Sequence, residues 1–221
     1  MSTTFQPFGL KPAYHPSGLD RAVPFAGTNT FVTGVSGYSA PYSLSSGQSF
    51  WQFQPVAITS SGQLTIANQT ASSGKVYGVF NGVEYTSAEG RRSVAKYAAK
   101  TTLDAATNIV FWIFSDPALV YEAQINGSAT SAAIGTEYNF DTTTGYTVSD
   151  GYAIGTGGAG FSTTALAASA VSSGAQGQVR VVGLGREVAY PAGNTNAWGD
   201  TYTIVQVQIC NNQFAAASVS V

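Results

Sequence analysis

The chain reads as an all-β protein, an antiparallel β-barrel or sandwich of jelly-roll-like character with an extended N-terminal arm. Three observations predict that class. Short runs rich in β-branched and aromatic residues recur along the sequence, separated by clusters of Gly, Ser, Thr and Asn. Leu119, Tyr121, Ala123 and Ile125 alternate with Glu122, Gln124 and Asn126, the period-2 pattern of a strand with one face in a core and one face wet. Long stretches with helical periodicity are missing, so roughly six to ten strands are expected to do the packing.

The elements follow in order. Residues 1–26 form the arm: Pro7, Pro12, Pro16 and Pro24 remove backbone donors and favour extended conformations. The arm carries Phe5, Phe8, Leu10, Tyr14 and Phe25, more large apolar groups than a solvated tail needs, so it is expected to lie on something. Residues 27–221 are expected to make one β domain. Its strands are read in "FWQFQPVAI", "KVYGVFNGVEY", "IVFWIF", "ALVYEAQI", "QVRVVGLGREVAY" and "TYTIVQVQI", with Gly/Ser punctuation near residues 34–39. The segment "SVAKYAAKTTLDAA" has some helical propensity, but Thr101 and Thr102 sit badly in a helix interior, and a strand followed by a turn is expected. In "SDPA", Pro117 pushes Asp116 toward extended angles and an Asx turn is natural, so the two flanking strands are expected to form a hairpin. A Gly/Ala-rich insertion around 151–177, including "FSTTALAASAVSSGAQ", is expected at the surface, or at most to form one short helix.

One strand breaks the alternation. Ile109 to Phe114 are all apolar, so both faces of that strand need cover, from a second sheet of the same molecule or from a neighbouring copy. The composition points the same way. Charged residues make up 9% of the chain, against a usual ~25%, and the formal charge of −2 gives little protection against self-association. Such a surface suits a protein packed against others.

Several function classes are disfavoured. No basic stripe supplies phosphate neutralisation, so nucleic acid is not an expected partner. Nothing resembles a signal peptide or a membrane span of ~18 apolar residues, so synthesis in cytosol and no membrane partner are expected. Cys210 and His15 stand alone in their residue types, which excludes an internal disulfide and leaves too few soft ligands for a typical zinc site; no metal and no cofactor are expected.

Candidate chemistry is thin. "GTGGAG" places Gly155, Gly157 and Gly160 in the spacing of a dinucleotide-binding loop, but no acid follows about 20 residues later and no train of βαβ units surrounds it. It reads as a turn. His15 lies in a segment read as extended and mobile, a poor place for a general base. Glu84, Glu89, Asp104, Asp116 and Glu122 are acids from which a glycosidase pair would have to come, yet Asp116 is explained by its turn and Glu122 by a wet strand face. No catalytic residue is assigned and the chain is not expected to be an enzyme. Trp51 and Trp112 stand in strand contexts where packing is the common use, whereas Trp198 in "PAGNTNAWGD" is the aromatic most open to a ligand or partner, as a carbohydrate-binding or host-attachment module would require.

The stretches "TFQPFGLKPAYHPSG", "YGVFNGVEYTSAEGRRSVAKY", "IVFWIFSDPALVYEAQINGS" and "VRVVGLGREVAYPAGNTNAWGDTYTIVQVQICNNQF" together resemble the capsid decoration, or cement, proteins of tailed bacteriophages. The likeness rests on order and spacing over most of the chain. It departs from the family in lacking a proline just after Lys96 and Tyr97 and in its longer 151–177 insertion. The resemblance implies a structural virion protein, made in the cytoplasm of a bacterial host, that binds the capsid exterior and reinforces contacts between major capsid protein subunits without catalysis or cofactor. A homotrimer is favoured, with a homodimer next. On that reading Phe5, Phe8, Leu10, Lys11, Tyr14 and Arg21 contact the capsid, while Val110, Trp112 and Phe114 form the oligomer interface.

Overall fold

The computed structural model describes residues 4–18, 21–25, 40–67, 74–141, 162–185, 188–189 and 194–214. "GTGGAG", the punctuation at 34–39 and the first part of the 151–177 insertion lie outside them. In chain order the strands are β1 (Lys11–Tyr14), β2 (Val23–Phe25), β3 (Ser49–Trp51), β4 (Gln54–Ile58), β5 (Leu64–Ile66), β6 (Gly78–Thr86), β7 (Arg92–Ala95) and β8 (Tyr97–Ala99). After the single helical turn α1 (Lys100–Asp104) come β9 (Thr107–Phe114), β10 (Val120–Gln124), β11 (Glu137–Tyr138), β12 (Val179–Leu184), β13 (Val188–Ala189), β14 (Asn194–Thr195) and β15 (Ile204–Ile209).

The protein is an all-β sandwich, and the barrel is not closed. One antiparallel sheet runs β1-β10-β15-β12-β11; the other runs β2-β9-β6-β4-β5, with β7 also pairing to β6. Two small pairs, β3-β8 and β13-β14, complete the described strands. There are two cores. Tyr121, Ala123, Val181, Val205 and Val207 of the first sheet pack with Val79 and Phe114 of the second. On the far side of the second sheet, Val56, Phe80, Val83, Ile109, Phe111 and Ile113 pack with Phe50, Ala98 and Leu103 of the β3-β8 and α1 region. The second sheet therefore works on both faces, which is why β9 cannot alternate.

Three expectations change. The "SDPA" turn has the expected Asx geometry, with the Ala118 amide donating to Asp116 Oδ1 at 2.8 Å. Its flanking strands do not pair with each other, because β9 belongs to one sheet and β10 to the other. The turn is an arch between layers, not a hairpin, and it lets one connection feed both cores. Residues 162–166 are not a surface insertion. They are buried, and Leu166 bridges both Ile125 and Phe140. The polar face of β10 is not wet either: Glu122 and Gln124 are buried. Gln124 Oε1 accepts the Gln6 amide at 2.8 Å, and its Nε2 donates to the Thr4 carbonyl at 3.0 Å, so the start of the chain covers that face.

Candidate interaction surface

The N-terminal segment is an integral part of the sandwich. β1 pairs with β10 and supplies the outer strand of the first sheet, while β2 pairs with β9 and supplies that of the second. Just after β1, His15 meets Asp116 of the "SDPA" arch. The tightest junction lies just before β1. Gly9 takes φ +78°, its amide donates to the Thr164 carbonyl, and the next amide, Leu10, donates to the Phe53 carbonyl at 2.9 Å. Phe53 has φ +66°, unusual for a bulky residue, and its own amide is held by the Phe80 carbonyl at 2.7 Å. Three distant segments meet at this corner, and a side chain at residue 9 would run into the Phe53 carbonyl.

The residues expected to touch a capsid therefore divide. Leu10 is 1% exposed and belongs to the first core, so it has no surface to offer a partner. Phe5 is half-buried, its ring centroid 5.2 Å from that of Tyr202. Phe8 is half-buried with the Lys11 ammonium 6.0 Å from its ring centroid. Tyr14 is 42% exposed and Arg21 is exposed. Phe8, Lys11, Tyr14 and Arg21 remain as outward groups.

His15 is not mobile. Its side chain is 6% exposed, Nδ1 accepts the Ser17 amide at 3.0 Å, and Nε2 lies 3.0 Å from Asp116 Oδ2 of the arch. The Nε2 contact is close enough for an ion pair but not aligned as a hydrogen bond. In a serine-type triad the second ring nitrogen takes a proton from a hydroxyl; here that nitrogen is occupied by a main-chain donor. The imidazole pins the segment to the arch. The other acids singled out are also engaged structurally: Glu84 with Arg92 (2.6 Å), Asp104 with Lys100 (2.7 Å) and Tyr42 (2.7 Å). The Lys100 and Tyr42 bonds hold the Asp104 carboxyl below its usual range, and burial plus Asp104 pushes the Tyr42 hydroxyl up. Among the described residues no three His, Cys, Asp or Glu side chains group as metal ligands, and no helix is long and apolar enough to cross a membrane.

The two-faced strand resolves unevenly. Phe114 is 9% exposed and packs in the first core, so it drops out of the expected oligomer interface. Val110 and Trp112 lie beyond the cover of the first sheet and are half-buried. Around them Pro24 pairs with Trp112 and Glu84 with Val110, so Pro24, Trp112 and Val110 share one sheet face, while Val94 lies one strand further out, across Glu84 and its Arg92 ion pair. Val94 is 74% exposed. Sequence reasoning missed it; a lone Val between Ser93 and Ala95 carries no signal until the register places it facing out at the centre of β7, opposite Glu84. Trp198 is half-buried and packs against the first core, which anchors its loop through the ring. No protein-family model, curated protein or solved structure matches this chain.

Proposed function

We propose that this protein is a structural component of a tailed-phage virion that binds the capsid exterior, acts as an oligomer and reinforces contacts between major capsid protein subunits without catalysis. The sequence resemblance to decoration proteins supports the reading. The structural observation that carries it is the partly covered apolar face of Val110, Trp112 and Pro24, continuous at Pro24 with a segment that presents Phe8, Lys11, Tyr14 and Arg21 outward. Burying such a face in a homotrimer, or failing that a homodimer, requires roughly 800 Å² per partner. Oligomerisation then multiplies weak single-site contacts with the shell by effective concentration, and preference for the assembled shell stabilises it by mass action.

Removing residues 1–25 is not a clean test, because it strips the outer strand from both sheets and Leu10 from the core. Point substitutions separate the roles. In sedimentation velocity the full chain is expected to run as a trimer or dimer, and Trp112→Glu as a monomer. With undecorated shells of the phage that encodes the chain, Tyr14→Ala is expected to keep the oligomer but lose co-sedimentation. A monomeric full chain that leaves shells unbound overturns the reading.

A further inference from the structure

The two large sheets have five outer strands among the described residues, and four of them are closed to further pairing. β1 carries Pro12 and β2 carries Pro24, which lack an amide donor. β5 is covered by residues 41–43, with Leu64 donating to the Pro41 carbonyl and accepting from the Ser43 amide. The Glu137 carbonyl of β11 is taken by the Val171 amide. β7 is different. It pairs with β6 on one side, carries no proline, and no described strand lies on its other side.

The side chains of β7 indicate what would fit there. Val94 is exposed at its centre, and Arg91, Arg92 and Lys96, all exposed, bracket it with no acid inside the run. Arg92 is held by Glu84 on the neighbouring strand, and Arg91 meets Glu89 only at 3.9 Å between two exposed side chains, which neutralises little. A second copy of β7 would bring these cations against their own kind, a costly pairing. We infer that the edge of β7 that no described strand covers is a strand-addition site for an extended acidic segment of another protein. Main-chain ladder bonds supply the attraction, Val94 receives an apolar side chain of the added strand, and Arg91 and Lys96 select acids at the flanks. The inference does not depend on the partner being a capsid.

The test uses two fluorescent peptides, one alternating glutamate with valine and one alternating lysine with valine, titrated against the full chain by anisotropy. The acidic peptide is expected to bind at least about tenfold more tightly at low salt, with the preference shrinking as salt rises. Amide exchange is expected to slow at residues 92–95 and not at β1 or β2. The double variant Arg91→Glu, Lys96→Glu, changing two exposed side chains, is expected to fold normally by circular dichroism and to invert the preference. Equal binding of both peptides, binding of neither, an unchanged preference in the variant, protection elsewhere, or a β7-mediated dimer lost in Val94→Asp would each overturn the inference. The exchange measurement on the unaltered chain keeps the test decisive if the double variant misfolds.

Discussion

Replacing Leu10 by alanine asks whether the first residues are structure or appendage. The change removes three carbon groups from a side chain that is 1% exposed in the first core. At about 0.8 kcal/mol per buried carbon group the transfer loss is roughly 2.4 kcal/mol. A cavity term adds to it, because the corner around Gly9 and Phe53 is fixed by main-chain bonds and cannot collapse freely. The total is about 3–4 kcal/mol, a large part of the 5–15 kcal/mol typical of a folded domain. Urea unfolding followed by tryptophan fluorescence is expected to move its midpoint down by about 1–2 M. Tyr14→Ala, an exposed position of the adjoining strand β1, is expected to cost less than about 1 kcal/mol. Equal and small effects of the two substitutions would refute the claim that the segment is built into the sandwich and return it to the status of a loose arm.

Two further outcomes follow from the same packing. Gly9→Ala forces a side chain into the Phe53 carbonyl at φ +78°, whereas Gly18→Ala at φ +71° meets nothing within 4 Å. Thermal unfolding should therefore show Gly18→Ala costing only the backbone penalty of about 1–2 kcal/mol and Gly9→Ala costing clearly more. The Cys210 thiol is pushed up to about 12, chiefly by burial and then by the Glu137 charge. A raised folded-state value means that its contribution is fully present below the unfolded value of 9.0 and is lost as pH climbs toward 12. Denaturation at rising alkaline pH should show Cys210→Ala losing stability less steeply than the parent, by up to about 1.4 kcal/mol per pH unit.

The sequence made the class of fold readable because alternation and turn chemistry are local. β10, β15, the Asx turn at Asp116 and the two-sided character of Ile109 to Phe114 all announce themselves within a few residues. What stayed hidden depends on register and on partners far along the chain. Gln124 looks wet until Thr4 and Gln6 are laid over it. The serines and threonines of 162–164 look like loop composition until Ser162 and Thr164 bond each other at 2.8 Å in the interior. His15 looked mobile because the prolines around it signal extension equally well for a free arm and for an outer strand. The candidate surface was half legible: Val110 and Trp112 were visible as surplus apolar residues, but their separation from Phe114 and their place beside Pro24 required the cores and the pairing of β2 with β9.

Strands β1 and β2 are made well before the strands that receive them. Lys11 needs Glu122, Val23 needs Ile113, and the strand that receives Lys11 is itself flanked by Val205 and Val207 near the far end. During synthesis this segment, with its aromatics uncovered, must wait for about a hundred further residues before its partner strands exist. Such long-range closure is slow, so yield in the cell should depend on how well Phe5, Phe8 and Leu10 are shielded during that delay.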